Sequence, residues 1–278
     1  MINNELDTAA QRAAQLIRGA DALLIGAGAG MGVDSGLPDF RGDQGFWRAY
    51  PALGKARLSF TDIADPRHFS SDPALAWGFY GHRLNLYRQT VPHAGFQLLH
   101  RWGKALPHGA FVFTSNVDGQ FQKAGFSPEM LAEVHGSIHH LQCRRACTDG
   151  IWTADGFVPE VDDAACRLRN EPPSCPRCAA IARPNILMFG DGEWISDRTR
   201  QQMMRLDVWR PRAGRVVAIE LGAGVHIPTV RYFCEDRADA LIRINPTDAD
   251  VPRPERDVSM RCGALAGLQA IDAAVKGG

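Results

Sequence analysis

The stretch Gly28-Ala29-Gly30-Met31-Gly32-Val33-Asp34-Ser35-Gly36-Leu37-Pro38-Asp39-Phe40-Arg41-Gly42 comes directly after the apolar run Ala22-Leu23-Leu24-Ile25. An unbroken apolar run of that kind reads as a strand buried on both faces of a parallel sheet. Glycines at its end let backbone N–H groups come close to a pyrophosphate that a Cβ would hold away. A glycine-rich turn alone is common, since many strand-to-helix turns carry glycine only for packing. The second half is more specific. Pro38-Asp39-Phe40-Arg41-Gly42 sets a rigid turn, an aromatic ring and a guanidinium beside the phosphate cradle.

Upstream, Leu6, Ala9, Ala10, Ala13, Leu16 and Ile17 recur at helical spacing and predict a helix over residues 5–19. Downstream, residues 42–50 set Phe46 and Trp47 among glycines and polar residues, a composition that suits a lid over a ligand. The plainer reading is a surface loop with two core-seeking aromatics. Two helices are expected over 57–90, the second starting at Asp72-Pro73, and another over 93–106. Strands are expected at 111–113, 131–134, 185–189, 215–221 and 241–244, with helices at 196–209, 228–236 and from 263 onward. Alternating strands and helices predict an α/β fold with a doubly wound, parallel, Rossmann-like sheet. That lobe takes residues 1–42, 93–140 and 183–278. Insertions at 43–92 and 141–182 are expected to pack together as a smaller zinc-binding and helical lobe, with the ligand cleft between the two.

Composition narrows the function. Of 278 residues, 45% are hydrophobic and 22% charged, and 31 basic residues balance 31 acidic ones. Nothing in that balance suggests a nucleic-acid partner or a membrane surface. No apolar run approaches the roughly 20 residues of a membrane span. The first 18 residues lack the apolar core of a secretory leader, so the cytoplasm is the expected location. The oligomeric state is not legible. Seven cysteines include two close pairs, Cys143-x₃-Cys147 and Cys175-x₂-Cys178, the pattern of a closed tetrahedral Cys₄ zinc site with a structural role. Cys166 lies between the pairs as an alternative ligand. Cys234 and Cys262 read as passive.

Other stretches carry polar groups at strand ends. Thr114-Ser115-Asn116-Val117-Asp118 lies at the C-terminal end of a predicted strand, where open α/β sheets bind ligands. Asn116 and Asp118, two apart on extended backbone, point to one side. His135-Gly136 ends the strand at 131–134, and an imidazole there is able to take a proton at neutral pH. Arg183-Pro184-Asn185-Ile186-Leu187-Met188-Phe189-Gly190-Asp191 and Gly222-Ala223-Gly224 complete the set.

Together these motifs resemble the sirtuins, in the same order, from about residue 20 to 265. Residues 28–42 match the first sirtuin motif without a gap, except that Gly32 stands where the family has serine. Residues 114–125 resemble the second, with Ser115 for Gln, Gln120 for Leu and Phe121 for His. Gly222-Ala223-Gly224 stands in place of Gly-Thr-Ser. Some of these departures are similar to the macrodomain-linked sirtuins, which are associated with protein ADP-ribosylation and lack the histidine kept here.

The resemblance implies an NAD-dependent protein lysine deacylase that releases nicotinamide and acyl-ADP-ribose. His135 would be the catalytic base, with Asn116 ordering a ribose hydroxyl or water and Asp118 meeting the nicotinamide carboxamide. The NAD site would further take in Gly28, Ala29, Gly30, Asp39, Phe40, Arg41, Ser115, Gly222, Ala223, Gly224, Asn245, Gly263 and Ala264. Met188, Phe189 and Gly190 would pair with the backbone of an acyl-lysine protein or peptide as an added strand. Two rival readings use the same cleft: mono-ADP-ribosyl transfer to a protein, and an NAD-binding sensor with little turnover.

Overall fold

A computed structural model describes residues 2–39 and 42–277. The chain opens with helix α1 (Ile2–Arg18), whose Ala10, Ala13 and Ile17 are buried at the predicted spacing. Strand β1 (Ala22–Ala27) follows and is buried along its whole length. Next come α2 (Gly42–Ala49), α3 (Pro51–Lys55), α4 (Phe60–Ile63), α5 (His68–Ser71), the long α6 (Pro73–Gln89) and α7 (Ala94–Ala105). Strand β2 (Ala110–Thr114), α8 (Gln120–Lys123), β3 (Leu131–Glu133) and β4 (Gly136–Cys143) lead into β5 (Ile151–Thr153), β6 (Val161–Asp162), β7 (Arg167–Leu168) and β8 (Ala182–Ile186). The last third alternates α9 (Asp197–Trp209), β9 (Val216–Leu221), α10 (Thr229–Arg237), β10 (Ala240–Ile244), β11 (Val258–Met260) and α11 (Ala264–Lys276).

Six strands form one parallel sheet in the order β11-β10-β9-β1-β2-β3. Numbered within that sheet alone, this is the 3-2-1-4-5-6 order of a Rossmann fold. The chain runs outward from β1 to β3, then returns to β9 on the other side of β1. That reversal leaves a crevice at the carboxyl ends of β1, β2 and β9, the place where such sheets take ligands. Each face is covered by helices. Ile25, Phe96, Val112 and Leu268 pack on one side, and Leu24, Phe113, Leu206 and Val230 on the other.

A second core draws on residues 37–87 and 138–188. Its rings meet edge-on: Trp77 lies 4.9 Å from Phe157 and Tyr50 5.0 Å from Phe79. The three-stranded antiparallel sheet β5-β4-β8 borders it, and the Trp77 indole N–H donates to the Ala182 carbonyl across 3.0 Å. Two expectations change here. Residues 42–49 form a helix, and Phe46 is fully buried in this core, so the burial of an aromatic wins over the lid that the composition suggested. The strand expected at 185–189 ends at Ile186, because the Arg183–Asp191 ion pair, buried at both ends, folds the following turn back on itself.

Candidate active site

Loops leaving β1, β2 and β9 converge at the crevice. A Cβ on Gly28 would stand 2.7 Å from Ala223 Cα, and one on Gly222 would stand 2.4 Å from Gly30 Cα. The glycines thus let two loops lie directly against each other. The Gly28 N–H donates to the Leu221 carbonyl (3.0 Å) and the Gly30 N–H to Gly222 (3.1 Å), so these amides brace the loops. Asn116 joins the third loop to the first: its side-chain amide donates to the Gly28 carbonyl at 2.9 Å, while Thr114 Oγ1 accepts its backbone N–H. The result is a cleft of about 510 Å³ lined by Gly28, Ala29, Asn116, Asp118, His135 and Ala223 among others. That volume lies within the range of small-molecule and cofactor sites. Ser115, Asp39 and Gly224 also line it. Phe40 and Arg41 lie outside the described residues.

Asp118 is buried, and its Oδ1 accepts the Gln120 N–H at 2.9 Å. Burial pushes its carboxyl up to about 6 despite that bond, with Glu133 adding to the effect and Arg83 opposing it. His135 sits between β3 and β4. Its carbonyl accepts the Leu187 N–H at 2.9 Å, and the next residue, Gly136, has φ +80°. A Cβ there would lie 2.0 Å from the Asn185 carbonyl oxygen, so no other residue lets β4 start this close to β8. Burial holds the His135 imidazole below the usual histidine range, leaving it neutral and able to accept a proton at pH 7.

The inner end of the cleft contains residues that the sequence reading missed. Tyr80, Arg83 and Tyr87 come from one face of α6 at spacings of three and four. The Arg83 Nε–H donates to Tyr87 Oη at 3.0 Å, and the guanidinium lies 5.2 Å from the Phe79 ring centroid. Tyr80, Arg83 and Tyr87, polar-tipped side chains at helical spacing on the face that also carries Trp77 and Leu84, were the available signal. His226 and Ile227, beyond Gly224, form part of the opposite wall.

Met188 and Phe189 line the cleft mouth beside Leu187, which is exposed, and β8 is the edge strand of its sheet, its outer side taken at Ala182, whose N–H donates to the Pro173 carbonyl at 2.7 Å. The Phe189 N–H reaches the Ala64 carbonyl at 2.9 Å, tying the mouth to α4. Gly190, at φ +67°, makes the turn after them. Toward the other end, Gly263 caps α11, and Asp34 accepts the Leu265 N–H at 2.8 Å, fixing that helix to the loop after β1; Ala264 is buried behind it. Asn245 is fully buried. Its amide donates to the Ala223 carbonyl (3.0 Å) and its Oδ1 accepts the N–H groups of Thr247 and Asp248, so it braces the loop after β9 from beneath.

In the smaller lobe, the ligand sulfurs of Cys143, Cys147, Cys175 and Cys178 lie within 4.8 Å of one another. The Cys143–Cys178 and Cys147–Cys175 Sγ distances are both 3.6 Å. A tetrahedron with Zn–S bonds of about 2.3 Å has edges of roughly 3.8 Å, so the four thiols fit zinc with little adjustment. Burial opposes the Cys143 thiolate, yet backbone hydrogen bonds at Cys147 and Arg145 bring the thiol to about 7. Cys166 is outside the cluster. It is buried in the second core, with its carbonyl against Gly78 of α6.

The Sir2 family model matches residues 28–209, a span that covers the loop after β1, the Asn116–Asp118 turn, His135 and all four cysteines. The chain belongs to the Sir2 family. Among its relatives, an NAD-dependent protein deacetylase of Caldivirga maquilingensis is 29% identical over all of this chain and 98% of its own length. An NAD-dependent protein deacylase of Aeropyrum pernix is 32% identical over 59% of this chain and 58% of its own length. A crystal structure of a Sir2 homologue–NAD complex superposes with a TM-score of 0.71 at 22% identity, covering 95% of this chain and 93% of the other, and it shows the shared fold.

Seen as a Sir2 chain, its departures sort by place. Phe121 turns away from the cleft into the sheet core, edge-on to Phe96 at 4.9 Å and Phe126 at 5.2 Å. A Cβ on Gly32 would press on the Leu37 side chain at 3.1 Å. Ser115 and Ala223-Gly224 remain at the cleft, where they leave it shorter side chains.

Proposed function

We propose that the chain is an NAD-dependent protein lysine deacylase. The carrying observation is the meeting of His135, Asn116 and Asp118 with the glycine loop in one cleft whose mouth is the β8 edge. The relatives bearing the names deacylase and deacetylase support the same reading. NAD supplies an electrophilic ribose carbon and a leaving nicotinamide.

Each residue then has a distinct task. Asp118, buried and held by Gln120, would present its carboxyl oxygen to the nicotinamide carboxamide. Asn116 keeps its amide nitrogen on Gly28 and would offer its oxygen to a ribose hydroxyl or a water. The glycine loops after β1 and β9 would admit the pyrophosphate, and the α11 start at Gly263-Ala264 would close the adenosine end. Asn245 would act through Ala223, which it holds, and not by touching the ribose itself. The Leu187–Phe189 segment would take the acyl-lysine peptide as a neighbouring strand through its carbonyls, since the N–H groups of Leu187, Met188 and Phe189 are bonded to His135, Asp191 and Ala64. His135, neutral at pH 7, would take the proton of a ribose hydroxyl. The four cysteines would hold zinc as a staple of the smaller lobe, remote from the proton transfer.

The test is product analysis by mass spectrometry after incubation with NAD and a panel of acyl-lysine peptides. Acyl-ADP-ribose and free lysine peptide are expected. ADP-ribosylated protein would move the assignment to transferase, and unchanged NAD to a sensor.

A further inference from the structure

A second cavity, of about 600 Å³, shares Asp118 and Tyr87 with the cleft and is otherwise built from different residues. Its walls are α8, β4, β5, α9 and the end of α6. None of its other polar groups has a task in the chemistry above.

The charge on its lining is uneven: Arg88, Lys123, Arg198 and Arg205 face Asp118 and Asp155. Neutral groups hold much of that positive charge. Arg88 donates to the Phe157 and Ala154 carbonyls at 2.7 Å each, and Lys123 to the Arg88 and Thr90 carbonyls at 2.7 and 2.5 Å. Arg205 bonds the Glu129 and Pro128 carbonyls and meets the carboxylate of Glu129, which is largely in solvent. A cation held by a carbonyl keeps its full charge. Deeper in, Arg198 pairs with the buried Glu133, but its Nη1 is buried with no partner, as are His140 Nδ1 and Glu133 Oε1. His140 is held at about 4 by burial and by Arg198, so its ring is neutral at pH 7 and adds no repulsion to a cationic wall.

We propose that this cavity binds a small polyanion of the phosphate or carboxylate class. The lining carries four cationic side chains against the carboxylates of Asp118 and Asp155, a net charge of +2, although Glu133 and Glu129 pair with two of the cations, and an apolar ligand would leave the buried Arg198 and His140 nitrogens unmatched. A phosphate or carboxylate oxygen suits a planar guanidinium, and the volume admits a molecule of metabolite size. Asp118 belongs to both cavities, so any change that an anion here makes in the affinity of a ligand at the cleft's inner end is matched by an equal change in its own.

The experiment is equilibrium dialysis of the whole chain with labelled inorganic phosphate and, separately, labelled citrate. Ionic strength is held constant. Saturable uptake of one anion per chain is expected, and which probe binds tells phosphate from polycarboxylate. The Lys123→Gln/Arg205→Gln variant should weaken uptake at least tenfold while its melting temperature stays unchanged, since both side chains are held at the surface. Lys123→Gln alone serves if the double variant melts early, with a smaller loss. No saturable uptake of either anion, or uptake indifferent to these substitutions, overturns the proposal.

Discussion

Asp118→Asn tests how the cleft is held, because the structure makes it both a stabilising and a damaging change. Burial holds the Asp118 carboxyl at about 6, against 3.8 for an ordinary aspartate. Below pH 4 the acid is protonated in folded and unfolded chains alike. An amide then substitutes for it at little cost, since its oxygen accepts the same Gln120 N–H. Between pH 4 and 6 the unfolded chain loses the proton while the folded chain keeps it. The folded state binds more protons there, so stability falls as pH rises, and above 6 the loss is complete. A difference of roughly two pH units corresponds to about 3 kcal/mol at about 1.4 kcal/mol per unit. Asp118→Asn removes that penalty, and a gain of about 1–3 kcal/mol is expected at pH 8, shrinking toward zero at pH 4. Urea unfolding at pH 8, 6 and 4 measures it. A variant no more stable than the parent at pH 8, or a gain that does not shrink on acidification, refutes the account of Asp118 as a desolvated carboxyl. The same variant should bind NAD less tightly while ADP-ribose affinity holds, the pattern of a site that gives up stability for recognition.

Three further outcomes follow from the geometry. His135→Ala should slow deacylation by about 10²–10⁴-fold yet retain acyl-peptide-dependent exchange of labelled nicotinamide, because the base acts after the first bond breaks. In the parent, the acid limb of the rate profile should fall below pH 6.5, since burial lowers the His135 imidazole; a limb above 6.5 contradicts it. Gly136→Ala meets the Asn185 carbonyl at 2.0 Å from a left-handed backbone and should cost about 2–5 kcal/mol in chemical denaturation. Gly156→Ala, with no atom within 4 Å of its Cβ, is the control and should stay within about 0.5 kcal/mol. Elemental analysis should find one zinc per chain, lost in Cys175→Ala together with the fold of the smaller lobe; a zinc-free parent, or zinc retained in that variant, removes the Cys₄ assignment.

The parallel sheet was legible because each of its central strands is buried on both faces and therefore reads as an apolar run between turns. The Cys pairs were legible because thiolates at short spacing have few other uses. Strand β8 was harder. Its Arg183, Pro184 and Asn185 carry no apolar pattern, although all three are buried, because ion-pair and amide partners compensate them. Phe46 and Trp47 misled for the opposite reason. Polar neighbours imply exposure, while the rings pack inward and the Trp47 N–H finds the Leu58 carbonyl at 2.7 Å.

The sequence by itself determined the order of elements, the glycine loop, the His-Gly pair and the four thiols, since each depends on neighbours close along the chain. Only the tertiary structure decided what those residues meet. Gly28 and Gly222 are 194 positions apart in the chain, yet the glycine at each is required by the other loop's backbone. The resemblance places Asn245 in the NAD site, while the fold shows what its side chain holds, the Ala223 carbonyl and its own turn. Tyr80, Arg83 and Tyr87 become part of the cleft only when α6 is laid across it. Local pattern records which face of an element is apolar, whereas the partner of a buried polar group is set by which distant strands and loops pack beside it.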